Sequence, residues 1–199
     1  MDAEKIKHEI LFQAVNATKN RDLLEQAPHQ RYLDLALVFF YLEETEDHQK
    51  RTFILSNQQM RRLGVTKEQV TEWAMENTPR LLPPSFHSME HVLQKFCLWE
   101  QAQKDQPPMY VLTNVRMFLG AACLFYPRVL PSIRNAVQED FYIIPSSVHE
   151  CIILPMSDAY TKSELEKIVY EVNLTQVPEQ EVLSNYVYFY QKSTGKFHK

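Results

Sequence analysis

The sequence predicts an α+β fold in which helices flank a mostly antiparallel central sheet. Strand-like and helix-like segments interleave along the chain without a regular strand–helix–strand rhythm. Residues 141–144 and 151–154 are two apolar runs that a short polar insert separates. Runs of this length, rich in isoleucine and bounded by proline and serine, are typical of strands joined by a tight turn. Because both runs are apolar almost throughout, we expect the hairpin over residues 140–155 to lie centrally in its sheet.

The part of the chain before residue 103 is predicted to be mainly helical. Apolar residues recur at helical spacing over residues 4–17. Thr66 and Gln69 form a capping box for a helix that we expect to end near Glu76. Residues 33–42 fit a buried strand or a buried helix equally. The other predicted elements are a short helix (21–26), a strand (52–55), a rigid proline-rich crossing (79–84) and a helix (88–99).

A stretch reading K-D-Q-P-P, residues 104–108, is the most linker-like segment. It predicts a division into an N-terminal part, residues 1–103, and a C-terminal part, residues 108–199. Residues 118–126 fit a strand or a buried helix. The other predicted elements of this part are strands (109–112 and 186–190), helices (127–137 and 162–172) and a polar turn (192–196).

Two similar segments occupy residues 53–57 and 110–114, which read F-I-L-S-N and Y-V-L-T-N. A methionine, a leucine and a glycine come after each of them at closely matching distances. An old duplication that left two related halves would produce this pattern, and so would shared turn chemistry. In either case Asn57 and Asn114 are expected to end a strand, because asparagine tolerates turn conformations and caps the next element of the chain.

Composition excludes several functional classes. The net charge of −4 provides no basic field for nucleic acid, and three glycines in 199 residues leave no room for a glycine-rich phosphate loop. No apolar run approaches the roughly 20 residues of a membrane span. Cys97, Cys123 and Cys151 lie in apolar surroundings without CxxC spacing, so we expect buried free thiols in a reducing cytoplasm. No cofactor is predicted.

Several sequence blocks resemble a known family when they are taken in order. They are residues 28–29, 33–36, 76–81, 110–114, 120–122, 126–127, 129–130, 142–150 and 172–177. Together they resemble an uncharacterised domain-of-unknown-function family that is abundant in clostridia and other gut Firmicutes. The resemblance implies no activity and no catalytic residue. Members of that family commonly carry a further segment before the position of Ile6, so this chain resembles a shortened version, as expected of a phage or mobile-element gene.

Residues 87–91 match the H-x-x-E-H pattern of zinc peptidases. On a helix, His87 and His91 would share a face and Glu90 would serve as the base. A peptidase also needs a distant third ligand and a substantial catalytic domain. We therefore interpret the segment as the start of a surface helix and predict no metal site.

Four residues within one turn, Ser146, Ser147, His149 and Glu150, have the side chains of a hydrolytic site. Nucleophilic catalysis needs a serine oxygen within hydrogen-bond reach of a base that a third group orients. Neighbours along an extended chain point to opposite faces, so we expect His149 and Glu150 to point apart. We interpret the segment as a turn, with the rim of a binding site as the alternative. Replacing His149 or Glu150 by alanine should then change stability by about 0.5 kcal/mol or less.

Two further groups of residues are candidates for binding. Tyr186, Tyr188 and Tyr190 share one face of the predicted last strand, where exposed tyrosines would anchor a protein partner or stack on bases. The simpler interpretation is a half-buried edge strand whose phenols reach solvent. Arg61 and Arg62 belong to the densest basic cluster, although such clusters are more often a solvated face.

These observations favour a non-enzymatic cytoplasmic protein whose work is to bind a macromolecule, and a protein more than a nucleic acid. A more specific hypothesis is a phage or mobile-element accessory protein that inhibits a host defence nuclease. The alternatives are a small hydrolase that uses the turn over residues 146–150, and a nucleic-acid-binding regulator. The sequence leaves the oligomeric state open.

Overall fold

The computed structural model describes residues 2–44, 50–95, 107–145 and 147–199. They form two compact units, Met1–Pro83 and Pro84–Lys199. Each unit contains an antiparallel sheet accompanied by helices, so the α+β prediction is confirmed. In the part of the chain that the structure describes, no helix combines the length and the apolarity needed to cross a bilayer.

The first unit is built on a four-stranded sheet whose longest strand, β3, pairs with each of the other three. Its elements are α1 (Ala3–Glu9), β1 (Leu11–Asn16), α2 (Arg21–Gln26), β2 (His29–Tyr32), β3 (Leu35–Glu44), β4 (Lys50–Ile54), α3 (Asn57–Arg62) and α4 (Lys67–Leu81). The apolar segment that fitted a strand or a helix is therefore a strand. Its side chains at positions 35–41 are buried, which explains why the segment carries no alternation of polar and apolar residues.

The helix predicted over residues 4–17 is wrong in its second half. Helix α1 ends at Glu9, and the next residues form β1, which pairs with β3 along its whole length. Leu11, Phe12, Ala14 and Val15 fit helical spacing, but they are also a run that a buried strand accommodates. Pairing with β3 makes the segment a strand rather than a helix. The local spacing of apolar residues carries no information about that pairing.

Helix α4 begins at the predicted capping box, in which the Thr66 and Gln69 side chains each bond the other residue's backbone N–H. It runs beyond Glu76 through Pro79 to Leu81, so the predicted crossing segment is helical in its first residues. The proline removes one backbone hydrogen bond of the helix. Contacts with the start of the chain hold this last turn, because Asn77 Nδ2 donates to the carbonyl oxygens of Lys7 (2.9 Å) and Ile10 (3.2 Å).

The second unit contains a six-stranded antiparallel sheet of order β10-β9-β7-β8-β6-β5. Its elements are β5 (Pro84–Ser88), α5 (Met89–Lys95), β6 (Tyr110–Asn114), a 3-10 helix (Gly120–Phe125), α6 (Val129–Val137), β7 (Phe141–Ile144), β8 (Cys151–Pro155), α7 (Lys162–Thr175), a 3-10 turn (Glu179–Glu181), β9 (Tyr188–Gln191) and β10 (Lys196–His198). The predicted hairpin forms the two middle strands, β7 and β8. Its central position is thereby confirmed, and Ile143 and Ile153 face each other there with no exposed surface.

The two units divide between Pro83 and Pro84, earlier in the chain than the predicted linker at residues 104–108. The reason is a long-range pairing, because β5 hydrogen-bonds to β6 with Ser85 opposite Thr113. Most of the predicted linker, together with Cys97 and the end of the helix predicted over residues 88–99, lies outside the described residues.

The expectation of an exposed tyrosine edge strand is wrong. Strand β9 lies between β7 and β10, and Tyr188 and Tyr190 are 0% and 1% exposed. Tyr190 stacks on Phe141 with ring centroids 4.4 Å apart. Tyr186 lies outside the strand and stays exposed. The short strand β10 covers the edge, and only Phe197 in a polar tail signals it in the sequence.

The first of the two similar segments starts in β4, which ends at Ile54, so the expectation that Asn57 ends a strand is wrong. The second segment forms β6, and Asn114 ends that strand as expected. Asn57 is the first residue of α3, whereas Asn114 is followed by a non-helical loop. Duplication of the two halves stays a prediction.

Candidate functional site

An exposed loop follows β6 and carries three large apolar side chains. We call residues 115–119 the apolar loop. Val115, Met117 and Phe118 are 61%, 45% and 39% exposed. Single exposed apolar residues are ordinary, but a group of them on one loop is typical of an interaction surface.

The backbone of this loop is strained. Met117 and Leu119 have φ of 52° and 53°, a left-handed conformation that costs a non-glycine residue roughly 1–2 kcal/mol. The buried side chain of Asn114 imposes it from within: its Oδ1 accepts from the Arg116 N–H (3.0 Å) and its Nδ2 donates to the Phe118 carbonyl (2.7 Å). Such strain persists only where surrounding structure enforces it, and it concentrates at functional sites.

The turn over residues 147–150 holds the same loop from the other side. The Leu119 N–H donates to His149 Nδ1 (3.2 Å), and the Thr113 hydroxyl donates to the His149 carbonyl (2.7 Å). His149 therefore contacts a residue outside its own turn, which argues against the stability change of about 0.5 kcal/mol or less expected for its replacement by alanine. Its imidazole is the hydrogen-bond partner of a loop backbone amide. The centroid of its ring lies 6.2 Å from the centroid of the Phe118 ring.

The geometry around Ser147 does not suit a hydrolase. The Ser147 hydroxyl donates to Glu150 Oε1 (2.7 Å) and accepts from the His149 N–H (3.0 Å). Because His149 Nδ1 accepts from Leu119, the neutral ring carries its proton on Nε2, which lies 3.7 Å from Glu181 Oε1. Neither ring nitrogen is free to take a proton from Ser147. Ser146 lies outside the described residues.

A groove opens beside the apolar loop, between α5 and one face of β5 and β6. It encloses about 240 Å³. The lining residues are Ser85, His87, His91, Val92, Lys95, Val111, Thr113, Asn114, Val115 and Met117. Two of them, Val115 and Met117, belong to the apolar loop, so loop and groove form one continuous surface.

The two histidines of the H-x-x-E-H segment meet in this groove, but not on a helix. His87 lies on β5 and His91 on α5, with ring centroids 4.7 Å apart. Within the described parts of the chain, no three His, Cys, Asp or Glu side chains form a group able to hold a metal ion.

Purified protein should contain no stoichiometric zinc, because two exposed imidazoles alone do not complete the four-ligand shell that zinc takes in proteins. Elemental analysis of the metal content, with His91→Ala measured in parallel, tests this. Stoichiometric zinc that disappears in His91→Ala would revive the metallopeptidase interpretation.

The thiols of Cys123 and Cys151 should react slowly with a thiol reagent in the native protein and completely in denaturant. Both residues are fully buried. Burial raises the pKa of the Cys123 thiol to about 12 and the pKa of the Cys151 thiol well above its usual value. Since the thiolate is the reactive species, both stay protonated and unreactive at neutral pH. Rapid native labelling of Cys151, followed by mass spectrometry, would contradict this assignment.

Of the residues that the sequence singled out, the described structure brings together Ser147, His149 and Glu150. Arg61 and Arg62 are exposed in the last turn of α3, in the first unit. Tyr186 lies in the second unit, where Lys199 Nζ stands 3.3 Å from its ring centroid.

Sequence reasoning missed two contributors to the site: Glu181 and the apolar loop, including Leu119. It did single out Asn114 as the residue that ends a strand, although not as the organiser of the loop. Glu181 carries no local signal, because it reaches His149 from a turn 32 positions later in the chain.

Comparison with known proteins agrees with the family resemblance. No curated protein and no solved structure shows significant similarity to the chain. The model of a family of unknown function, DUF5688, matches residues 1–192, which is nearly the whole sequence. The chain therefore belongs to the DUF5688 family.

Proposed function

We propose that this chain binds a protein partner through the apolar loop and the groove beside it. The observation that carries the proposal is the loop itself, which exposes Val115, Met117 and Phe118 and holds Met117 in a left-handed conformation. Water disfavours exposed apolar surface, and the strained backbone adds a further cost. A partner that buries these side chains would offset both.

The rest of the loop's surroundings supports the same role. The side chains of Asn114 and His149 hydrogen-bond to backbone groups of the loop. The loop is therefore held in one shape before any partner binds. A surface that is already ordered loses less conformational entropy on binding. Leu174 on α7 provides a contrast, because it is 72% exposed but lies on regular helix.

Site-specific photo-crosslinking tests the proposal. A photoreactive amino acid replaces Met117 in one variant and Leu174 in a matched control, and each is irradiated in native host lysate. The Met117 variant should capture a discrete protein that the Leu174 variant does not. That protein is then purified, and Met117→Glu should weaken its affinity for the chain at least about tenfold, or roughly 1.4 kcal/mol. Leu174→Glu should leave the affinity unchanged. Equal capture at both positions, or equal affinity of both variants, would contradict the proposal.

The nature of the partner and the cellular setting are further proposals that rest on the sequence. In the most specific version, the chain is a cytoplasmic accessory protein of a phage or mobile element and the partner is a host defence nuclease. Addition of the purified chain should then reduce cleavage by the captured nuclease, and Met117→Glu should restore it. Unchanged cleavage at saturating chain would reject this version.

A further inference from the structure

We infer that the groove receives an acidic side chain of the partner, an aspartate or glutamate that neighbours an apolar residue. This inference rests on the proposed function and names the chemistry of the segment that the site recognises. It follows from the charges, the shape and the position of the groove.

Three nitrogen-bearing side chains line the groove without a partner of their own among the residues that the structure describes. Within the described parts of the chain, the imidazoles of His87 and His91 contact each other but no acceptor, and the Lys95 ammonium has no carboxylate beside it. Among the described lining residues, none carries a carboxylate. The groove therefore offers donors and positive charge, and a ligand would have to supply the acceptor.

The walls of the groove strengthen such an interaction. Val92 and Val111 are apolar, and the Thr113 hydroxyl already donates to the His149 carbonyl. In the free protein His87, His91 and Lys95 are exposed. A bound side chain would displace water from between them and the apolar walls, and a charge pair shielded in this way attracts more strongly. The volume of about 240 Å³ exceeds several times the roughly 30 Å³ that a water molecule occupies in the liquid, so a whole side chain fits.

The composition of the lining favours a carboxylate of a protein over a phosphate of a nucleic acid. Phe, Tyr and Trp, on which bases stack, are absent from the described lining. Val115 and Met117 continue the groove into the apolar loop. An acidic residue in the groove would thus place its neighbour against an apolar surface.

Selection from a random displayed peptide library on the immobilised full-length chain tests the inference. Enriched peptides should share an aspartate or glutamate next to an apolar residue. One of them is synthesised with a fluorophore, and its affinity is measured by fluorescence anisotropy. Lys95→Gln and His91→Gln should each weaken binding at least about fivefold, as should replacing the peptide's acidic residue by its amide. Lys167→Gln is the matched control, since Lys167 is an exposed lysine on α7, and should leave the affinity unchanged.

The outcomes separate the two proposals. Enriched peptides without an acidic residue, or binding that Lys95→Gln leaves unchanged, overturn the inference. If Met117→Glu still abolishes that binding, the proposed function stands. If no enriched peptide depends on Lys95 or on Met117, both proposals fail. A single-stranded oligothymidine is the second probe. If the chain binds it more tightly than it binds the peptide, and if Lys95→Gln abolishes that binding, the groove is a nucleic-acid site and the inference is overturned.

Discussion

Gly120→Ala is expected to destabilise the second unit by about 3 kcal/mol, because the position has no room for a methyl group. A Cβ there would overlap the Thr113 hydroxyl. It would also lie 2.5 Å from the His149 carbonyl oxygen and 2.8 Å from the Asn114 nitrogen. Backbone atoms cannot turn aside as a flexible side chain would, so the loop and the turn that supports it would have to separate.

Urea denaturation of the full-length protein measures this effect, and Gly195→Ala is the matched control in the same unit. Gly195 has φ of +67°, and among the described residues its Cβ would meet only the Tyr190 hydroxyl, at an ordinary 3.8 Å. The control should therefore lose only the roughly 1–2 kcal/mol of a left-handed alanine. Equal losses of unfolding free energy in the two variants would contradict the close approach of Gly120 to the Thr113, Asn114 and His149 atoms.

Ile143→Ala and Ile153→Ala are each expected to cost about 2–5 kcal/mol. The two residues are directly opposite in the β7–β8 pair, and both are 0% exposed. Each substitution removes buried methyl groups and leaves a cavity in the middle of a six-stranded sheet. Against a typical stability of about 5–15 kcal/mol, either loss is severe.

Ile168→Ala is the control for these two variants, because Ile168 is 48% exposed on α7. It should change the free energy of unfolding by about 0.5 kcal/mol or less. Chemical denaturation of the three variants under one set of conditions makes the comparison. A loss of less than about 1 kcal/mol in Ile143→Ala would contradict the central position of the hairpin.

The hairpin and the start of α4 were predictable because their signals are local. Two apolar runs around a polar insert specify β7 and β8, and the Thr66–Gln69 pair specifies a helix start within one turn. Elements that depend on pairing with distant parts of the chain were not predictable from the sequence. Residues 11–16 become a strand only because β3 is available to pair with them, and β9 is an inner strand only because β10 pairs with its outer edge.

The candidate site was predictable in part for the same reason. His149 stood out by its residue type, and Asn114 by its position at the end of a strand. Their joint role depends on Leu119, 30 positions from His149, and on a loop whose left-handed residues are not glycine. No residue type in the loop predicts its backbone conformation. The strained and exposed arrangement is therefore visible only in the structure.

The comparison of Met117→Glu with His149→Ala tests the central claim most directly, by thermal unfolding and partner affinity on the same samples. Met117 is 45% exposed, so its substitution should leave the melting temperature unchanged and weaken partner binding at least about tenfold. His149→Ala removes the acceptor of the Leu119 N–H and should cost about 1–3 kcal/mol of stability. Well below its melting temperature it should still bind the partner, although less tightly than the native chain, because the loop has lost one of the contacts that order it. The reverse result, normal melting with lost binding in His149→Ala and full binding in Met117→Glu, would contradict the account and make the turn the site.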